Sequence, residues 1–140
     1  MVSVIKITSL FFIFSVLFLS YAYAENDTSE GYDENTEIAI KGTIKDVIRE
    51  MRGPVIVLLK TGGKDYKVIT APPWFIIQNG IELSPGKSYE VVGSQFFSRD
   101  GNRYLIASRI KDLDTGKITQ FRDSSCMPLW KGRRMKGGAN

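Results

Sequence analysis

The sequence contains no histidine and a single cysteine, Cys126, among its 140 residues. Without histidine the chain lacks the commonest general base and metal ligand, and it can form no Ser-His or Cys-His catalytic pair. One cysteine can build neither an intramolecular disulfide nor a thiolate zinc site. Gly62-Gly63 lies between two strand patterns rather than before a helix, which excludes a phosphate-binding loop there. We therefore expect a protein that is not an enzyme and that needs no metal or cofactor.

Residues 1–24 have the composition of a secretory leader. One early charge precedes an almost wholly apolar run over residues 7–19, and Ala22-Tyr23-Ala24 supplies the small residues that a signal peptidase accepts. We expect cleavage before residue 25 and therefore a periplasmic or secreted protein. The alternative is a retained anchor, because about 18 uncharged residues can span a bilayer. The protein would then be membrane-anchored and would face away from the cytoplasm.

Charge is unevenly distributed along the rest of the chain. Residues 25–37 hold six acidic side chains and no basic one, whereas residues 131–140 hold four basic side chains and no acidic one. This composition predicts an acidic disordered segment over residues 25–36 and a basic disordered tail over residues 131–140. Residues 38–130 carry 14 basic and 9 acidic side chains, a net charge of +5 (14 − 9). Such a balance favours anionic partners.

Hydrophobic patterning predicts a β-rich domain over residues 37–130. An alternating strand is indicated over 38–45, a continuously apolar strand covered on both faces over 55–59, and a third strand after the Gly62-Gly63 hairpin. Pro73 and Asn79-Gly80 suit the beginning and end of one short helix over 73–78. Trp74, at its start, is expected to plug one end of the domain. Turn residues then separate strands that begin near residues 89, 104 and 118.

This order of three strands, a short helix and two or three further strands defines the expected fold class. It is all-β with one short helix, and it matches a small OB-like Greek-key β-barrel of five or six strands. Closing a barrel would also remove exposed sheet edges from a domain that has no disulfide. An SH3-like barrel or a plain sandwich is the alternative.

Three stretches carry a resemblance to a known family: APPWFIIQNGIELSPGKSYEVVGS, RYLIASRI and RDSSCMPLW. They resemble a domain of uncharacterised exported bacterial envelope proteins that is similar to the domain of the magnetosome proteins MamS and MamX. The resemblance covers residues 37–132. Its most specific parts are Pro73-Trp74, Pro85-Gly86, Gly93, Tyr104 to Ala107, Arg122-Asp123 and Pro128-x-Trp130.

The resemblance implies an OB-like fold in the cell envelope with no settled activity. The haem-binding Cys-x-x-Cys-His motif of the larger magnetosome relatives is absent here, so electron transfer does not carry over. The family usually carries glycine where this chain has Cys126. We therefore expect the tight turn before Pro128 to be built differently.

Binding features are better represented than catalytic ones. OB barrels present a strand face and flanking loops to extended ligands, with aromatic side chains for stacking and basic ones for phosphates. Phe96, Phe97 and Tyr104 lie near basic positions in the sequence. The alternative is that the aromatic residues fill the core and the charges are ordinary solvated positions. The candidate ligand-binding residues are Arg49, Arg52, Lys64, Lys67, Tyr66, Arg122 and Trp130.

These features predict a non-catalytic binding or adaptor module of the periplasm or envelope. Its partner is expected to be a protein, a peptide, or an anionic polymer or lipid headgroup. Export argues against nucleic acid, and the membrane is a partner only if the N-terminal segment is retained. The alternative is a structural accessory of a membrane or magnetosome-like assembly, held by an uncleaved N-terminal helix.

Overall fold

A computed structural model describes residues 31–131 of the chain. The predicted leader, the first part of the predicted acidic segment and the predicted basic tail from residue 132 onward lie outside the described residues. In the described part of the chain, no helix has the length and hydropathy needed to cross a membrane.

The described residues form six strands, a 3₁₀ turn and a short helix, and a further helical segment begins at Leu129. A 3₁₀ turn, Glu34–Thr36, leads into three strands, β1 (Glu37–Ile48), β2 (Ile56–Thr61) and β3 (Lys64–Ile69). Helix α1 (Pro73–Gln78) follows, and then come β4 (Ser88–Phe97), β5 (Arg103–Asp112) and β6 (Ile118–Gln120). The predicted order of elements, including the helix over residues 73–78, is confirmed.

Strands β1 to β5 close into a barrel. β1 pairs antiparallel with β2 and β4, β2 with β3, and β4 with β5, while β3 runs parallel to β5 and completes the ring. β6 pairs antiparallel with the second half of β5. A closed, five-stranded Greek-key barrel of this kind is the OB arrangement. The predicted all-β, OB-like fold class is therefore confirmed over an SH3-like barrel or a sandwich.

The barrel interior is filled by alternate side chains of its strands. In β2, Val57 and Leu59 are buried while Ile56 and Leu58 are half-buried. This corrects the expectation of a strand covered on both faces, because within residues 31–131 no second layer is packed over β2, and successive side chains of a strand point to opposite faces.

Helix α1 closes one end of the barrel through Phe75 and Ile76. Both side chains are buried, whereas Trp74 is 41% exposed. Neighbouring positions on a helix point about 100° apart, so Trp74 and Phe75 do not share one face. The plug predicted at Trp74 is therefore formed by the next residue.

The last residues before β1 are ordered and packed on the barrel. Asp33 caps the 3₁₀ turn by accepting the N–H of Asn35 at 2.9 Å. The backbone N–H of Asp33 and the hydroxyl of Thr36 both bond the Ser94 hydroxyl of β4, at 3.1 and 2.8 Å. The disorder predicted for residues 25–36 is therefore corrected for 31–36, because specific hydrogen bonds to a buried serine override an acidic composition.

Candidate functional site

A row of one basic and two aromatic side chains crosses the outer face of the barrel. Lys67 of β3 is in register with Tyr104 of β5, and Tyr104 is in register with Phe96 of β4. The Phe96 and Tyr104 rings stack with centroids 5.1 Å apart and planes 10° apart. The Lys67 ammonium lies 5.5 Å from the centroid of the Tyr104 ring. We refer to Lys67, Tyr104 and Phe96 as the aromatic row.

Alternation along the strands explains why the row faces outward. Val68 follows Lys67 and Leu105 follows Tyr104, and these two neighbours are buried in the core. Lys67 and Tyr104 must then point away from the barrel interior, because successive side chains of a strand point to opposite faces. Next to the row, Phe97 is 64% exposed. The surface therefore offers Phe96 and Phe97 to solvent, whereas Tyr104 is half-buried and its ring contacts Phe96 and Lys67.

The end of the barrel next to the row is basic. The parallel register of β3 and β5 places the β2–β3 hairpin and the β4–β5 loop at this same end. Asp100 in the loop is bonded by Ser98 and Asn102, which hold its pKa below the usual range, and Lys67 contributes to the shift. Asp65 is paired with Lys45 at 3.8 Å. The cations at this end include Lys60, Lys64, Lys67, Arg99 and Arg103.

The sequence-predicted site residues do not converge on one place. Lys67 belongs to the aromatic row and Lys64 lies at the nearby hairpin, but Tyr66 is only 6% exposed and belongs to the core. Tyr66 is therefore corrected to a core residue, because it lies on the opposite face of β3 from Lys67. Arg49 and Arg52 lie in the β1–β2 loop, at the other end of β2.

Two of these residues have structural contacts of their own. The Arg49 guanidinium donates to the carbonyl of Leu83 at 3.2 Å. The Trp130 indole packs edge-on against Phe75, with ring centroids 5.5 Å apart, and joins the core from its edge. Both contacts tie connecting segments to the barrel.

Arg122 lies in a separate open cleft of about 760 Å³. Its side chain is 8% exposed, one terminal nitrogen donates to the carbonyl of Cys126 at 2.8 Å, and the guanidinium lies 5.1 Å from the Tyr32 ring centroid. Burial lowers the pKa of Arg122. Within residues 31–131 no carboxylate forms an ion pair with Arg122. Glu34, Glu37 and Asp123 also line this cleft, so its walls carry charges of both signs.

Cys126 occupies a backbone conformation that normally favours glycine. Its φ angle is 63°, in the left-handed region that non-glycine residues rarely adopt. The turn before Pro128 thus keeps a glycine-like backbone despite the cysteine, so the expectation that it is built differently is corrected. A hydrogen bond from the thiol to Glu34 at 3.0 Å, together with burial, raises the pKa of Cys126 to about 11. The thiol is therefore protonated at neutral pH and is a weak nucleophile.

Sequence reasoning noted Phe96, Phe97 and Tyr104 only as aromatic neighbours of basic positions. Alternation could have selected Tyr104, because Leu105 after it is a core position, but it could not have selected Phe96, whose neighbours are the half-buried Gln95 and the exposed Phe97. The contact of Phe96 with Tyr104 across β4 and β5 depends on a register that includes a bulge between Val92 and Gly93. That bulge is not visible in the sequence.

Comparisons with known proteins identify a family. Residues 36–119 match the MamS/MamX magnetosome protein family. Among solved structures, a chain in the crystal structure of the S. pombe Stn1-ten1 complex is similar at a TM-score of 0.44 and 21% identity, over 73% of this chain and 71% of that chain. No curated protein matches. Because the family match spans more than half of the sequence and contains the whole barrel and the aromatic row, the chain belongs to the MamS/MamX magnetosome protein family.

Proposed function

We propose that this domain is a non-catalytic binding module of the cell envelope and that it holds an extended anionic polymer on the aromatic row. The observation that carries the proposal is the stack of the exposed Phe96 on the half-buried Tyr104, with Lys67 beside Tyr104 and the exposed Phe97 next to the row. OB barrels bind oligonucleotides and oligosaccharides on the face of their second and third strands and on the loops between strands 1 and 2 and between strands 4 and 5. Of the row, Lys67 lies on β3, and the β4–β5 loop is adjacent to Phe96 and Tyr104. The aromatic faces would stack on the ligand's rings while the cation meets its charge.

The charge balance supports an anionic ligand. The net charge of +5 over residues 38–130 attracts polyanions in general. Charges more than about 8 Å apart are largely screened at physiological ionic strength, so most of the attraction must come from cations close to the row. Lys64, Arg99 and Arg103 lie at that end of the barrel.

Two features support a binding role over a catalytic one. The chain has no histidine. The pKa values of Cys126, Asp100 and Asp112 are all displaced away from neutral pH, whereas general acids and bases need values near the working pH. A location in the envelope is supported by the leader composition of residues 1–24.

The test uses the full chain with dextran sulfate as the anionic probe and neutral dextran as its control. We expect binding to dextran sulfate that weakens as salt rises, and little binding to dextran. Phe96→Ser should weaken binding about 5- to 150-fold, because a lost stacking contact is worth roughly 1–3 kcal/mol. Ile77→Ser is the matched control, since Ile77 is also exposed and apolar but lies on α1.

Lys67→Gln, with Arg52→Gln as its charge-matched control in the β1–β2 loop, separates local from general attraction. We expect the first substitution to weaken binding more than the second, because Lys67 is part of the aromatic row and contacts the Tyr104 ring. Equal losses in both variants, or no binding to dextran sulfate at low salt, would rule out the aromatic row as the site.

A further inference from the structure

β6 presents an open strand edge. β1 to β5 form a closed ring, whereas β6 is bonded to β5 on one side and, within residues 31–131, to no strand on the other. The segment that returns after Arg122 covers this edge only from Phe121 onward, where the Phe121 carbonyl accepts the N–H of Leu129 at 3.0 Å. The three residues of β6 are left uncovered by that segment.

The backbone of β6 has hydrogen-bonding groups directed to the open side. The N–H of Phe121 donates to the carbonyl of Ser108 at 2.7 Å, and the carbonyl of Lys117 accepts the N–H of Asp112 at 2.9 Å. Residues 117, 119 and 121 therefore face β5. In an antiparallel pair the bonded positions alternate, so the N–H and C=O groups of Ile118 and Gln120 face away from β5.

A groove of about 380 Å³ runs beside this edge. Its walls include Phe75 and Asn79 of the helical segment, Leu129 of the return segment, and the residues of β6 itself. Ile118 is 57% exposed. The groove thus places outward-facing backbone groups beside a mixed wall, in which Ile118 and Leu129 are apolar and Asn79, Lys117 and Gln120 are polar. Backbone groups for pairing and side-chain contacts beside them are the two elements of strand addition to a sheet edge.

The surroundings of the edge are mainly basic. Glu90 of β4 lies opposite Lys111, but its carboxylate is paired with Lys41 at 3.6 Å. Lys111 and Arg109 of β5 lie opposite Ile118 and Gln120 in the register, and both are exposed. Lys117 directly precedes β6. Pairing β6 with the β6 of a second copy would bring two such sets of like charges together, which is unfavourable. The charges favour an acidic occupant.

We propose that the open edge of β6 binds an extended acidic peptide as an added strand. Its main chain would pair with Ile118 and Gln120. Its side chains on one face would be acidic and meet Arg109 and Lys111, and those on the other face would be apolar and contact the groove. The site is distinct from the aromatic row and does not depend on the function proposed for that row.

The test uses the full chain and three synthetic peptides. The probe is acetyl-Glu-Val-Glu-Val-Glu-amide, the charge control replaces each Glu by Lys, and the backbone control replaces both Val by Pro. We expect the acidic peptide alone to slow hydrogen exchange at the amides of Ile118 and Gln120. Binding of the Lys peptide or the Pro peptide with equal affinity would overturn the proposal, as would unchanged exchange at these two amides.

Ile118→Pro removes one outward N–H without removing a bond to β5, because proline is tolerated where an edge N–H faces solvent. Its affinity for the acidic peptide should fall about tenfold, which corresponds to one main-chain hydrogen bond and its neighbouring contacts. Ile118→Val is the side-chain control and should bind normally. If the proline variant does not fold, the exchange measurement on the unaltered chain decides. A concentration-dependent dimer that protects the same amides without peptide would refute the acidic occupant.

Discussion

Replacing Gly93 by alanine should show how tightly the ring of strands is closed. Gly93 lies on β4 opposite Ala107, at a bulge in the pairing with β5. A Cβ atom placed there would lie 2.2 Å from the carbonyl oxygen of Ile106 and 2.8 Å from its carbon. Carbon and oxygen atoms in contact normally stay about 3.3 Å or more apart. The two strands would therefore have to separate by roughly 1 Å.

The loss of stability follows from the hydrogen bonds and the packing that this separation disturbs. One or two ladder hydrogen bonds would lengthen beyond useful range, at about 0.5–1.5 kcal/mol each, and forcing volume into a packed site costs about 1–3 kcal/mol. The free energy of unfolding should fall by about 2–4 kcal/mol, which lowers the melting temperature by roughly 10–30 °C for a domain of this size.

Thermal and urea unfolding of the full chain measure this effect. Gly63→Ala is the matched control, since a Cβ atom at Gly63 meets nothing within 4 Å, and a surface change of this kind is usually worth within about 0.5 kcal/mol. A Gly93→Ala protein that melts with the control would show that β4 and β5 are not held at this distance.

Three further predictions concern stability. Cys126→Gly should be about 1 kcal/mol more stable than Cys126→Ala in chemical unfolding, because only glycine adopts the observed φ of 63° without strain. The pKa of Asp112 is lowered, first by its bond from Lys87 at 2.8 Å, so its stabilisation is present above about pH 4 and is lost as the pH falls through the lower folded value. Asp112→Asn should therefore lose less stability than the unaltered chain when both are titrated from pH 5 to 2. Trp130→Ala should cost about 2–4 kcal/mol in a thermal melt, because a partly buried indole leaves its contact with Phe75.

The local elements of the fold could be predicted because their signals are local. Pro73 and Asn79-Gly80 mark the two ends of α1, and Gly62, with a φ of 58°, provides the hairpin between β2 and β3. The element order then restricts the topology to a few small barrels. These inferences need only the chemistry of adjacent residues.

The site could not be predicted to the same extent because it depends on contacts between distant strands. Lys67 and Tyr104 are neighbours only because β3 and β5 close the ring in parallel. Tyr66 was a reasonable surface candidate by residue type. Because Tyr66 and Lys67 are adjacent on β3, they lie on opposite faces of the strand, and Tyr66 faces the barrel interior. Arg122 is basic in sequence, yet it is buried, and its guanidinium lies against the Tyr32 ring.

The two proposed sites use the two ends of one strand, which leads to a testable relation between them. Tyr104 lies near the start of β5, and Lys111 lies seven residues further on, opposite β6. At about 3.3 Å per residue, the sites are roughly 20 Å apart along the strand. Substitutions this far apart without shared partners usually have additive effects. Phe96→Ser should thus leave the affinity for the acidic peptide unchanged, and Ile118→Pro should leave the affinity for dextran sulfate unchanged. If a folded variant with one substitution also loses affinity for the other ligand, the two ligands compete for one surface. If each substitution affects only its own ligand, the protein behaves as an adaptor that holds two partners at once.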